Sequence, residues 1–423
     1  DTVVVTAIGT KFDANAPQLD FGAGVKAADV QVISPTSVAV KLTIDKAAPT
    51  GPRDVKITTG GKTVTGAKAF VVGSPIAVSL DKPVSQGGLG KVTIKNLDRS
   101  AAFGGTDNLK LEAPGLQANG FLLATATDLQ ALVLAEPTAS GKAAITLSNM
   151  AGDQAIRTFL SGPEAIAYQP RTPTQLVLGT PKTGENLAKP LDTGLYKLTN
   201  DGAGIVELAF TVKGSDIQPG FYFLPASGKF ADTLRVTSAT SIVHPVAAGG
   251  QDYYVIVTDQ AGAGGSAAKF GYEVSASRVN VTATSEAAGA HGTVGTAQDL
   301  ATLPALVTGA RAADGELDVY KITLATAKFV ELAVNREANV KIGIAPAAAG
   351  DPDKVDLTKA FGEVEPVFAS RSGQIGKPGA SIFDPPTALD AGTYYVYVTS
   401  GDPANASWAK PATGKYTFSI RLK

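Results

Sequence analysis

Apolar and polar residues alternate with a period of two along much of the chain. Val206, Leu208, Phe210 and Val212 interleave with Ile205, Glu207, Ala209 and Thr211; Val330, Leu332 and Val334 interleave with Phe329, Glu331 and Ala333. In an extended chain this pattern sends one set inward and the other toward solvent, as in a half-buried strand. Short runs of Val, Ile, Thr, Phe and Tyr are separated by Gly, Pro, Asn and Asp, and no long 3.6-residue periodicity competes with them. The pattern predicts an all-β chain of sandwiches or barrels.

The second half repeats itself. Leu195-Tyr196-Lys197-Leu198-Thr199 is followed by Val206-Glu207-Leu208-Ala209, and Val319-Tyr320-Lys321-Ile322-Thr323 by Val330-Glu331-Leu332-Ala333. Ala248-Gly249-Gly250-Gln251-Asp252-Tyr253-Tyr254-Val255 then matches Ala391-Gly392-Thr393-Tyr394-Tyr395-Val396, and each copy closes on a strand around Tyr272 or Tyr416. The offset between copies grows from 124 residues at the first tyrosine to 141 at the Tyr-Tyr pair. The extra residues fall in the Pro-, Gly- and charge-rich stretch 345–386. An insertion that spares the strands on both sides must be a surface excursion.

Composition narrows the function classes. A chain of 423 residues implies about two to four domains at roughly 100–200 residues each. A net charge of −1 lacks the basic footprint of a nucleic-acid binder. The absence of cysteine excludes disulfides, thiolate metal sites and a thiol nucleophile. With only two histidines, any imidazole acid–base scheme must use His244 or His291. No apolar run approaches the roughly 18 residues needed to span a bilayer. A start at Asp1 without a basic-then-apolar leader fits a secreted chain whose signal has been removed.

Motifs in the last repeat carry a family resemblance. Gly309, Gly315-Glu316-Leu317-Asp318-Val319-Tyr320, Leu389-Asp390-Ala391-Gly392-Thr393-Tyr394-Tyr395 and Gly414-Lys415-Tyr416 resemble the bacterial pre-peptidase C-terminal domain, a jelly-roll-like sandwich commonly appended to secreted enzymes. The likeness covers 280–423 well and 171–279 more loosely. At the other end, Val3-Val4-Val5-Thr6 through Phe12, Leu19-Asp20-Phe21-Gly22, Val38–Ile44 and Gly51-Pro52-Arg53-Asp54-Val55 resemble the IPT/TIG immunoglobulin-like fold over 1–72. The expected architecture is four tandem β-sandwiches: immunoglobulin-like over 1–75 and 76–170, and jelly-roll-like over 171–279 and 280–423, the last with an enlarged loop at 345–386. The IPT/TIG pattern places a further strand before the Val-rich one; its lack here reads either as a strand trimmed away or dispensed with, or as an unpaired sheet edge open to β-addition. Short joints at Gly73-Ser74-Pro75, Tyr168-Gln169-Pro170 and Ala276-Ser277-Arg278 predict little slack between modules.

Candidate chemistry is sparse. His244, before Pro245, and His291, in a Gly-rich link, both read as turn or surface histidines. The pre-peptidase resemblance implies calcium held by acids of the linker and of an Asp-x-Asp-x-Tyr motif; Glu286 stands in the linker here, and Glu316 and Asp318 in the motif. Ala287-Ala288-Gly289 replaces the Pro-Asn-Asp run expected after the linker acid, and the first copy keeps only Asp192, with Gly194 as its neighbour. Asp351, Asp353 and Asp356 have the spacing of a cation loop but lack the glycine and terminal glutamate of an EF-hand, which favours a solvated loop. Gly262-Ala263-Gly264-Gly265 leads to no helix with a lysine, so it is no phosphate cradle. Asn280 and Asn405 head formal glycosylation sequons, and Trp408 reads as a cover for a sandwich end.

The expected role is that of a non-enzymatic secreted or cell-surface protein, structural or adhesive: a subunit of an extracellular filament or assembly joined by strand addition and loop contacts. Its expected partners are further copies of itself, surface proteins, polysaccharide or a protein matrix, with calcium as the one cofactor in view. The rival is the non-catalytic, substrate-binding region of a secreted hydrolase.

Overall fold

A computed structural model describes residues 2–6, 12, 17–45, 47–74, 77–80, 83–96, 109–125, 127–151, 154–230, 235–237, 241–289, 291–313, 316–335, 340–349, 351–364, 387–400 and 413–423. Trp408, Asn405 and most of the enlarged loop lie outside these residues. The fold is almost entirely β, arranged as tandem sandwiches around four successive cores.

The first sandwich contains β1 (Thr2–Thr6), β2 (Gln18–Asp20), β3 (Val25–Ser34), β4 (Ser37–Ile44), β5 (Gly51–Thr59) and β6 (Lys62–Val72). They form two three-stranded sheets, ordered β1-β4-β3 and β2-β5-β6. Val38, Val40 and Leu42 point inward from β4 to meet Val55, Ile57 and Phe21. β1 occupies a sheet edge.

In the second unit, β7 (Ala77–Leu80), β8 (Val84–Ser85), β9 (Leu89–Lys95), β10 (Leu109–Ala113), β11 (Leu116–Ala124), β12 (Leu129–Ala135), β13 (Lys142–Ala151) and β14 (Gln154–Gln169) form one hydrogen-bonded set. β8 pairs in parallel with β14, while β9, four residues on, pairs with β12. The sheet therefore wraps round a single core of Val92, Ile94, Leu129, Val133, Ile145 and Leu147.

The third sandwich comprises β15 (Thr174–Leu176), β16 (Lys182–Asn186), β17 (Thr193–Asn200), β18 (Gly204–Val212), β19 (Pro219–Pro225), β20 (Arg235–Thr237), β21 (Ser241–Val246), β22 (Gln251–Asp259) and β23 (Gly271–Asn280). The fourth comprises β24 (Ala283–Ser285), β25 (Gln298–Asp299), β26 (Ala305–Arg311), β27 (Asp318–Leu324), β28 (Lys328–Val334), β29 (Val340–Ala345), β30 (Ala347–Ala348), β31 (Asp351–Val355), β32 (Gly362–Val364), β33 (Thr387–Leu389), β34 (Gly392–Ser400) and β35 (Gly414–Leu422). The sheet β15-β17-β22-β19-β20 has its counterpart in β25-β27-β34-β29-β32, and β16-β23-β18-β21 in β26-β35-β28-β33, to which β24 adds an edge. The sequence repeat is thus a repeat of topology.

The excursion after β29 is partly folded back. β30 and β31 pair, Val355 is buried beside Val319 and Tyr397, and Val294 N donates to Asp353 O at 3.0 Å. Ala276-Ser277-Arg278, expected as a joint, lies inside β23, which runs on to Asn280.

Alternation holds for most of the inward face of β18 and for that of β28: Val206, Leu208 and Phe210 belong to one core, and Val330, Leu332 and Val334 to the next, while Val212 at the end of β18 is exposed. The other face departs from the solvent-facing expectation. Ile205, Val243 and Ala333 form a buried cluster between the third and fourth sandwiches, with Val281 against it. Arg421 of β35 joins Glu331 and, at 3.1 Å, Glu207 of β18, while Lys423 reaches Glu331 at 2.8 Å. The second and third sandwiches likewise share a cluster of Leu89, Leu134, Leu195, Tyr222, Leu224 and Ile256. There the Tyr222 hydroxyl donates to Asn119 Oδ1 at 2.5 Å, and Thr193 donates to Gly87 O at 2.7 Å. Among the described residues, no core cluster spans the first and second sandwiches.

Candidate metal centre

The entry into the fourth sandwich brings together three side chains that the sequence scatters over 33 positions, Glu286 to Asp318. Glu286 follows β24, which runs parallel to β26, and its N–H donates to Thr308 O at 2.8 Å. Its carboxylate is held by Ala310 N–H, which donates to Oε2 at 2.7 Å. Gly309 faces this group, and a Cβ there would lie 2.7 Å from Oε2 and 2.3 Å from the Tyr416 ring. Glycine leaves the space that the carboxylate fills.

His291 sits where the link passes close to β27, its carbonyl accepting from Val319 N–H at 2.9 Å. Its Nδ1 lies 2.9 Å from Gly289 O. A carbonyl only accepts, so this contact places a proton on Nδ1 and turns Nε2 toward the acids. Nε2 lies 3.1 Å from Glu286 Oε1 and 3.6 Å from Asp318 Oδ1, yet is buried with no hydrogen-bonding partner. The residue is only 6% exposed, which overturns the expected surface histidine.

Asp318 opens β27 and is almost fully buried. Its Oδ2 accepts from the Tyr416 hydroxyl at 2.9 Å, whose oxygen lies 2.6 Å from that of Tyr320. The tyrosine pair therefore ties the two sheets together behind the carboxylate. Burial pushes the Asp318 carboxyl up to about 6, against the Tyr416 hydrogen bond, which lowers it. Burial also drives both phenols above the ordinary tyrosine range.

Of the acids expected to meet, Glu286 and Asp318 do, and Glu316 is engaged elsewhere: its Oε2 accepts from Ala312 and Ala313 N–H at 2.6 and 3.1 Å. Among the described residues, Glu286, His291 and Asp318 are the one group of three potential metal ligands, their donor atoms all within 4.8 Å of one another. The third sandwich has a reduced version. Glu185 occupies the register position of Gly309, and its Oε2 accepts from Tyr196 at 2.8 Å, with Tyr272 2.7 Å from Tyr196. Gly194 takes the place of Asp318, and a Cβ there would collide with the Tyr272 hydroxyl at 2.2 Å. Asp192 accepts from Ala188 N–H at 3.1 Å.

The remaining candidates are locally committed. His244 lies in β21 rather than at a surface turn, its ring between Phe223 and Tyr253 at 5.3 and 5.7 Å. Asp351 opens β31 and pairs with Lys354, and Asp356 accepts from Thr358, so the stretch expected as a solvated loop is in part a paired strand. Asn280 Oδ1 accepts from Arg278. Gly262 packs against Leu132 and Leu191 at the joint between the second and third sandwiches.

No protein-family model and no curated protein matches the sequence. Among solved structures, the pre-peptidase C-terminal domain of a collagenase from Bacillus anthracis is 17% identical over 26% of this chain and 97% of that one, with a TM-score of 0.20. PliG, a periplasmic inhibitor of g-type lysozyme from Aeromonas hydrophila, is 15% identical over 34% and 98%, with a TM-score of 0.18. SGBP-B from a xyloglucan utilization locus of Bacteroides uniformis is 9% identical over 100% and 98%, with a TM-score of 0.19. At such scores none of these likenesses transfers a function.

Proposed function

We propose that this is a non-enzymatic secreted or cell-surface protein with a structural or adhesive role. In this reading 171–279 and 280–423 are pre-peptidase-like sandwiches, 76–170 is the module before them, and 1–75 is the docking unit. The observation that supports it is the burial of side chains at two successive joints, Tyr222 with Asn119 and Arg421 with Glu207 and Glu331. Packed joints make the last three modules a stiff support. The first module shares no core with that support among the described residues and presents β1 at a sheet edge. An unpaired edge offers backbone donors and acceptors to a strand from another copy. No described helix is long and apolar enough to cross a membrane.

Sedimentation velocity and negative-stain microscopy over a concentration series test this reading. The expected result is concentration-dependent assembly of particles with a rigid three-module body, weakened by Val4→Lys, which places a charge on the edge strand. Discrete monomers at every concentration, or a body that bends freely at both joints, overturn it.

A further inference from the structure

We propose that Glu286, His291 and Asp318 bind a divalent transition metal of the zinc class, selected over calcium by the imidazole nitrogen. The strongest observation is an unsatisfied one. His291 Nε2 is buried, lies 3.1 and 3.6 Å from two carboxylate oxygens, and hydrogen-bonds to neither. A buried polar atom without a partner costs stability. With the proton held on Nδ1 by Gly289 O, Nε2 offers a lone pair to the acids, which also offer only lone pairs. A cation among the three satisfies all of them at once.

The spacing suits a small tetrahedral ion. Zinc bonds of about 2.0–2.2 Å to nitrogen and oxygen place neighbouring donors about 3.3–3.6 Å apart. The two separations at Nε2 match this range to within a few tenths of an ångström, and the third pair lies within 4.8 Å. Each donor is also held from behind. Ala310 N–H anchors Glu286 Oε2, the Tyr416 hydroxyl anchors Asp318 Oδ2, and Gly289 O fixes the imidazole. Such outer partners orient ligands and set the histidine tautomer. They leave one free oxygen on each carboxylate, so both acids bind through a single atom.

Calcium is poorly served by the same set. It takes six to eight oxygen ligands, whereas two carboxylate oxygens and a nitrogen converge here. Glu316, the acid that would enrich the site in oxygen, is spent on two backbone N–H groups. Imidazole suits zinc, copper and nickel, whereas carboxylate, carbonyl and water suit calcium. Two carboxylates and one neutral imidazole balance a divalent charge, and three protein ligands leave a fourth position for solvent. Glu286 and His291 belong to the segment entering the fourth sandwich and Asp318 to its core strand β27, so the ion staples that segment to the sandwich.

Calorimetric titration of the chelator-treated 423-residue chain with zinc and with calcium tests the assignment, alongside the visible spectrum of the cobalt-loaded protein. One equivalent of zinc is expected to bind at least 100-fold more tightly than calcium, and cobalt to give the intense bands of a tetrahedral site. His291→Ala should weaken zinc binding at least 100-fold, and Glu316→Gln should leave it unchanged. Calcium binding as tight as zinc, zinc binding indifferent to His291→Ala, or no cation bound overturns the proposal. Should His291→Ala fail to fold, the cobalt spectrum of the unaltered protein decides: weak octahedral bands overturn the assignment.

Discussion

Arg421 Nη1 reaches Glu207 Oε2 at 3.1 Å across 214 residues of sequence, from the last strand of the fourth sandwich to the third. The same guanidinium holds Glu331, which is almost fully buried. Removing the guanidinium leaves the buried Glu331 with Lys423, at 2.8 Å, as its remaining cation. Arg421→Ala is therefore expected to cost about 3 kcal/mol in denaturant unfolding, the low end for breaking a buried pair. Glu207 is more exposed, so Glu207→Gln should cost about 1 kcal/mol or less. An Arg421→Ala loss no larger than that of Glu207→Gln would show that the joint does not depend on this charge.

The tyrosine pairs give a second expectation. Tyr416→Phe deletes the donor to Asp318 and breaks the hydroxyl contact with Tyr320, all three being buried. The expected loss is about 1–3 kcal/mol, the cost of leaving buried acceptors unsatisfied. Tyr272→Phe should behave similarly beside Tyr196 and Glu185. Tyr394→Phe removes a 3.1 Å bond to the Asp390 carbonyl at a more accessible position, and should cost less than about 1 kcal/mol. Equal effects in all three variants would mean that the inter-sheet pairs have no special weight.

How legible these features were depends on the range of the signal. Strand alternation and repeat spacing are local properties, so the cores around Val206 and Val330 and the shared strand order could be read directly. The burial of Ile205 and the pairing of Glu207 with Arg421 could not, because both depend on which face of β18 meets the neighbouring sandwich. A glutamate on the outer face of a strand looks the same whether it meets water or Arg421. His291 shows the same limit. Its burial depends on where Glu286 and Asp318 meet it, and on the Gly289 carbonyl beside the ring. The motif resemblance named Glu286, Glu316 and Asp318; only Glu286 and Asp318 come together, and no local pattern pointed to His291 between them.

Gly309 provides a steric test of the same region. A methyl group there would sit 2.3 Å from the Tyr416 ring and 2.7 Å from Glu286 Oε2, in a buried site where neither neighbour can withdraw freely. Gly309→Ala is expected to cost about 1–3 kcal/mol through overpacking. Gly73→Ala, with nothing within 4 Å of the added carbon, serves as the control and should stay within about 0.5 kcal/mol. Thermal unfolding of the two variants side by side checks this, and equal midpoints would contradict the packing argument.

His244 makes the stability of the third sandwich depend on pH in a defined window. Burial beside Phe223 and Tyr253 lowers its pKa from 6.5 to about 4, because the charged ring loses its hydration. Between these values the unfolded chain binds a proton that the folded chain does not, so stability falls as the pH drops from about 6.5 toward 4. Above the window the contribution is complete; below it, nothing further is lost. At 1.36 kcal/mol per unit the span corresponds to roughly 3 kcal/mol. His244→Leu keeps an apolar side chain against the two rings and removes the titration. Other groups titrate in the same range in both proteins, so the informative quantity is the difference between them. The advantage of the unaltered protein over His244→Leu should shrink by roughly 3 kcal/mol on acidification across this window. A difference that is flat with pH would show that the imidazole is already charged in the fold, or hydrated through an opening in the β21 face.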